Sequence, residues 1–280
     1  MEHLALTLLG GFQARQGSGR PLVLPGRKAR ALLAYLGLHP GTIQPRETLM
    51  ALLWGDVPGD QARHSLRQIL VDLRRVLPNG KVPILLADGD GLALNPARVE
   101  VDVATFELLA KQGTPAALER AAALYTGDLL AGLTLREPAF EEWLRTERDR
   151  LREAALRALR RLLAAQTSGA ELEPAVQTGM RLLAIDPLQE HVHRVVMELY
   201  DKLGRRSAAL RQYHLCAEVL QRELGIRPDA ETRSLFERLS PKPAADASTK
   251  PERTHPRRVK EMPSPSGNQT AVPVVGRQPS

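Results

Sequence analysis

The hydrophobic positions of this 280-residue chain change their period twice. In the first 25 residues, short apolar runs ("LALTLLGGFQA", "PLVLPG") are broken by Gly and Pro, which predicts small strands joined by turns. From Arg27 the period becomes helical. Ala31, Leu32, Tyr35 and Leu36 share one face of a first helix that ends at "HPG" or, earlier, at Gly37. "QPRETLMALLW" predicts a second helix, with Pro45 in its first turn and Leu49, Leu52 and Leu53 on one side. A third covers Asp60 to Leu77. "PILLADGDGLALNP" then gives two apolar runs around Asp88-Gly89-Asp90-Gly91, a hairpin pattern. Small strands, three helices and a closing hairpin are the element order of a winged helix-turn-helix.

After Val99 the pattern is helical almost throughout. "VDVATFELLAKQG" opens it with Asp102 as N-cap, and "TPAALERAAALYTGDLL" follows with Thr114 as N-cap and Pro115 at the first helical position. A long helix starts near Pro138. Shorter ones run near Glu173–Ile185, Leu188–Leu203, Arg206–Leu224 and Asp229–Leu239, with Gly or Pro in their connections. Paired helices joined by short turns predict a helical-repeat array. In "LYDKLGRRSAALRQY", the residues Tyr200, Leu203, Gly204, Ala208 and Tyr213 follow the tetratricopeptide order, with Pro228 near the repeat's end. From Ser240 the chain turns Pro-, Ser- and charge-rich without apolar periodicity, the composition of a disordered linker.

The expected fold class is therefore mainly α with small β elements. Residues 1–97 form an α+β winged helix-turn-helix, 98–239 an all-α tetratricopeptide-like array, and 240–280 a basic tail or linker. Composition agrees: 43% of residues are hydrophobic but only 4% aromatic, which suits Leu/Ala-rich helices. Neither a stretch of transmembrane length nor the basic flank and long apolar core of a signal peptide occurs, and Cys216 is the single cysteine. A cytoplasmic protein, nucleoid-associated when bound to DNA and making no use of a membrane, is the expectation.

Charge sharpens the picture once it is divided. Residues 1–97 carry 11 Lys/Arg against 7 Asp/Glu (+4), 98–239 carry 21 against 22 (−1), and 240–280 carry 7 against 3 (+4), which sum to the net +7. An excess of cations at the two ends points to an anionic partner. It coincides with the stretch "HSLRQILVDLRRVL". There Leu66, Ile69, Leu70, Leu73, Val76 and Leu77 fill one helical face, while His64, Arg67, Gln68, Val71 and Arg75 line the other at i, i+3, i+4, i+7 and i+11. Arginines on a surface helix commonly do no more than solvate it. Here the helix occupies the recognition position. Arg can donate in bidentate fashion to guanine, Gln pairs with adenine, and an outward Val meets a thymine methyl. These five residues are the candidate base readers. Arg74 at the edge, and Arg46 and Thr48 at the start of the second helix, are candidates for phosphate. So are Lys81 before the hairpin and Arg27, Lys28 and Arg30 in the first helix, with packing beneath the sheet as the competing role of Arg27 and Lys28.

No catalytic residues, metal site or cofactor are expected. The chain has no G-x-x-x-x-G-K-[ST] phosphate loop, no G-x-S-x-G elbow and no H-E-x-x-H. His191 and His193 point to different helical faces, Cys216 in "HLCAEVL" reads as a buried structural thiol, and Trp54 and Trp143 read as core anchors. "DGDG" lacks the later ligands of a calcium loop.

Taken in order, "LPGRKARALLAYLGLHPG", "RETLMALLWGD", "ARHSLRQILVDLRRVL" and "GDGLAL" resemble successive blocks of the Streptomyces antibiotic regulatory protein family. "VDVATFELL", "ALYTGDLLAGL", "EEWLRTERDRLRE" and the run from "LLAIDPLQEHVHRVVMELY" to "FERL" resemble its bacterial transcriptional activator domain. The resemblance spans residues 4–239. It implies an activator that binds double-stranded DNA at promoter direct repeats, as a homodimer, and contacts RNA polymerase. It also carries the reading role onto the polar face of the third helix. Two alternatives stand beside it: a helical-repeat protein-interaction scaffold, and the N-terminal part of a larger ATPase-bearing regulator, since "VPVVGRQPS" resembles the start of the ATPase domain that follows this module in such proteins.

Overall fold

The structure is a computed structural model that describes residues 3–240 except Ser18, Asn79 and Asp90. The expected basic tail, with its "VPVVGRQPS" end, lies outside the described residues, which belong to one compact unit, Met1–Ser240.

Strands β1 (Leu4–Thr7) and β2 (Gln13–Gln16) pair antiparallel. The third strand of this sheet is β6 (Val99–Val101), which lies parallel to β1 with Leu4 opposite Val99 and Leu6 opposite Val101. Between them the chain forms α1 (Gly26–Leu38), β3 (Gln44–Pro45), α2 (Arg46–Leu53), α3 (Gly59–Val76) and the hairpin β4 (Leu85–Asp88) and β5 (Gly91–Leu94). The second sheet has the order β3-β5-β4. Gly37 does not end the first helix. It is buried there, and a Cβ would come 3.1 Å from Leu6 Cδ1, so glycine permits close packing of α1 on β1. Pro45 immediately precedes α2, as its N-cap, instead of occupying its first turn.

Seven helices follow: α4 (Asp102–Gln112), α5 (Pro115–Leu124), α6 (Pro138–Ser168), α7 (Leu172–Ile185), α8 (Glu190–Lys202), α9 (Arg206–Leu224) and α10 (Ala230–Leu239). Thr114 caps α5 through its hydroxyl, which accepts from the Ala117 amide, with Pro115 at the first position. The tetratricopeptide-type turn is made by Gly204 at φ +70°, a conformation that suits glycine, while Tyr200 and Leu203 before it pack against the hydrophobic cluster of the preceding helices.

Asp102 departs from its expected role. The cap position of α4 is Val101 and Asp102 is the first helical residue. Its carboxylate accepts from the amide of Val103 and, across 93 and 94 positions of sequence, from those of Leu9 and Leu8, all at 2.8–2.9 Å. Burial pushes its pKa above the usual carboxylate value despite those three donated amides. The loop after β1 is also held to the array by Leu130 N–H donating to Leu8 O and by Thr126 Oγ1 donating to Leu9 O.

The main core is accordingly continuous from Leu4 and Leu6 through Leu32, Leu49 and Leu66 to Phe106, Phe140 and Leu144. Trp54, 5% exposed, belongs to it, and the half-buried Trp143 joins Tyr35 of α1 to Phe140 of α6 with ring centroids 5.1 and 5.2 Å apart. A second cluster fills the space between α5, α6, α7 and α8, and a smaller one lies among α8, α9 and α10.

Candidate nucleic-acid interface

Helix α3 owes its orientation to one apolar stripe. Ala62, Leu66, Leu70 and Leu73 recur every three or four residues and are all buried. That geometry turns the opposite face outward. His64, Arg67, Gln68 and Arg75 are exposed, and Val71 among them is half-buried.

The bonding within the strip is sparse. Arg67, Arg74 and His64 make no hydrogen bond or ion pair among the described residues. Gln68 Nε2 donates to both oxygens of Asp72 at 3.3 Å, and Arg75 Nη1 reaches the same carboxylate at 3.4 Å. Asp72 is not among the residues expected at the strip. Its i+4 spacing from Gln68 and i−3 spacing from Arg75 was the available signal. Arg63 was likewise unassigned. It pairs at 2.9 Å with Asp60, both exposed, at the start of the helix.

Three elements converge beside the strip. A groove of about 710 Å³ is lined by Arg46, Glu47 and Met50 of α2, Arg63 and Arg67 of α3, and Gly89 at the tip of the β4–β5 hairpin. It brings together a candidate phosphate contact, Arg46, and a candidate base reader, Arg67, and adds the guanidinium of Arg63. Thr48 is exposed in the first turn of α2, where amide N–H groups lack helical partners. Arg27, Arg30 and Lys81 are exposed cations that do not line the groove.

Lys28 stands apart. Its Nζ lies 2.6 Å from Glu137 Oε1, whose side chain is only 11% exposed, and 4.9 Å over the Trp54 ring. The ammonium is held by an ion pair and a cation–π contact on the side facing α6. These contacts are to Glu137 and Trp54, and Lys28 does not line the groove.

Among the described residues no group of three or more His, Cys, Asp or Glu could hold a metal ion. Cys216 is fully buried, and burial pushes its thiol up to about 12. His193 is buried on α8 while its neighbour His191 is exposed. No helix of the described residues is long and apolar enough to cross a membrane. What the exposed strip and groove offer is a row of hydrogen-bond donors and positive charge, suited to holding an anion or reading polar edges.

Comparison with known proteins gives concordant findings. The bacterial transcriptional activator domain model matches residues 101–240. The regulatory protein AfsR of Streptomyces coelicolor is 29% identical over 248 residues, covering 84% of this chain and 24% of its own length. The regulatory protein DnrI of Streptomyces peucetius is 27% identical over 251 residues, covering 83% of this chain and 90% of its own. The transcriptional regulator RedD of Streptomyces coelicolor is 30% identical over 220 residues, 74% of this chain and 62% of RedD. The chain thus spans about a quarter of AfsR's length. Among solved structures, Mycobacterium tuberculosis EmbR in complex with a low affinity phosphopeptide matches with a TM-score of 0.65 at 22% identity, over 85% of this chain and 65% of that one, and shares its fold.

Proposed function

Because this chain belongs to the bacterial transcriptional activator domain family, in the composite arrangement of the Streptomyces antibiotic regulatory proteins, we propose that it is a transcriptional regulator that reads duplex DNA with α3. The observation that carries the reading is the strip of His64, Arg67, Gln68, Val71 and Arg75. Exposed His64, Arg67, Gln68 and Arg75 around the half-buried Val71, on a helix whose opposite face buries Ala62, Leu66, Leu70 and Leu73, offer the polar and apolar groups that suit major-groove base edges. Arg46, Arg63 and Thr48 would grip phosphate beside it, with Arg74 at the strip's edge and Gly89 bringing the hairpin tip to the adjacent backbone. Residues 1–97 would then serve as the DNA-binding part and 98–239 as the part that meets RNA polymerase and a second copy on a direct repeat, activating transcription. The array's neutral charge, against the +4 of residues 1–97, favours that division of partners.

The test is a selection of bound duplexes from a random library with the full chain, followed by footprinting on the best sequence. A motif repeated at about one helical turn, or a multiple of it, is the expected result. Binding without enrichment of any sequence at moderate salt would overturn the reading role and favour a protein-interaction scaffold.

A further inference from the structure

Among the described residues, Asp72 is the acidic residue bonded to the strip's polar side chains. Its side chain is 30% exposed, and its carboxylate is an acceptor only. That fixes the orientation of the Gln68 amide. The nitrogen must face Asp72, where it lies 3.3 Å from each oxygen, and Oε1 is left without a partner among the described residues. A glutamine free to turn can offer a donor or an acceptor and so pairs with several base edges. A glutamine held in this way offers chiefly an acceptor. In the major groove the complementary donors are the amino groups of adenine and cytosine, while guanine and thymine present acceptors at the corresponding positions. The same carboxylate holds Arg75 by Nη1 at 3.4 Å, leaving the rest of that guanidinium to donate.

We propose that Asp72 is a positioning residue that sets base preference: it holds Gln68 so that this position selects a base bearing an amino group, adenine or cytosine. The inference rests on α3 being the DNA reader. It adds a second effect of the same group. A carboxylate within the basic strip opposes phosphate held at random, so Asp72 lowers affinity for unrelated duplexes while raising discrimination.

The experiment is random-duplex selection with the full chain as wild type, Gln68→Ala, Asp72→Asn and Asp72→Glu, alongside titration of an unrelated duplex over a salt series. In the wild type, the position whose preference vanishes with Gln68→Ala is expected to be adenine or cytosine, favoured by about tenfold. Asp72→Asn, whose own amide can turn, is expected to drop that preference to about twofold, leave positions read by Arg67 intact, and bind the unrelated duplex more tightly with a steeper salt slope. Asp72→Glu keeps the carboxylate and is expected to restore the preference. Guanine or thymine at the Gln68 position, or an unchanged motif in Asp72→Asn with an unchanged melting temperature, overturns the role of Asp72 and leaves the reading helix standing. A wild type that enriches no motif overturns both.

Discussion

The outer face of α3 and the packed end formed by α8, α9 and α10 contain similar polar residues in opposite states. On α3 the arginines at 67 and 74 make no hydrogen bond or ion pair among the described residues, and those at 63 and 75, themselves exposed, each pair with one carboxylate of the same helix. Between the last helices, Arg194 bridges Asp229 at 2.6 Å and Glu231 at 3.0 Å and also donates to Thr232. His193 is bonded at both ring nitrogens. Gln212 Nε2 is 2.7 Å from Nδ1, which makes Nδ1 the acceptor and leaves Nε2–H to donate to Pro187 O at 3.0 Å. Thr178 donates to Gln166 in the neighbouring layer, both buried. Buried polar groups must be bonded or the fold loses their hydration without return. Exposed and unbonded ones add little to stability and are available to something outside. The contrast therefore separates polar groups that the fold itself uses from polar groups left open to contacts outside it.

Substitutions break or sharpen that separation, and the largest effect is expected in the shared core. Phe140→Ala should destabilise the chain by about 3–5 kcal/mol, and β1, α1 and the array should unfold in one transition because Phe140 packs in a core common to them. Denaturant unfolding followed by tryptophan fluorescence and circular dichroism reads this. Separate transitions would divide the core that the packing joins. Asp102→Ala should cost about 3 kcal/mol, since it strands three amide donors at once.

Arg67→Ala should reverse the pattern. Its melting temperature should stay at the wild-type value while discrimination at one base position falls by about 1–3 kcal/mol, read by competition between matched and mismatched duplexes. A fall in stability of similar size would place Arg67 among the polar groups that the fold itself uses. The pH dependence of His193 comes next. Burial lowers its pKa below the usual value near 6.5, so the unfolded chain takes up the proton first as pH falls. The stability associated with this residue is present above that value and declines below it, with a slope of at most about 1.4 kcal/mol per pH unit. His193→Gln should flatten that part of a stability–pH profile. Arg74→Ala should give the smallest change, a nearly uniform loss of affinity for all duplexes and a salt slope shallower by about one.

Much of this was legible in the chain because it is local. The stripe of Leu66, Leu70 and Leu73 dictates α3 and its outward face, the Asp88–Gly91 turn dictates the hairpin, and Thr114-Pro115 marks a helix start. What stayed hidden depends on partners far apart in sequence. No periodicity reveals that Val99 and Val101 pair in parallel with Leu4 and Leu6, or that Asp102 is bonded to Leu8 and Leu9. Lys28 reads as one more basic residue of the first helix until α6 brings Glu137 against it. Asp72 was concealed differently. Its spacing was plain, but a search for cations passes over the acid that orients them.

The parallel pairing of β1 with β6 also has a consequence for how the protein is made. Leu4–Thr7 is translated well before its parallel neighbour: β6 and the Asp102 carboxylate that anchors the following loop appear only after roughly 95 more residues, about 5–20 s at ordinary elongation rates. Through that interval β1 is paired on one side only, with β2, and its other edge is open. Helix α3 is thus made before the sheet of β1, β2 and β6 can close, and a stall upstream of Val99 would leave a fragment with that edge open.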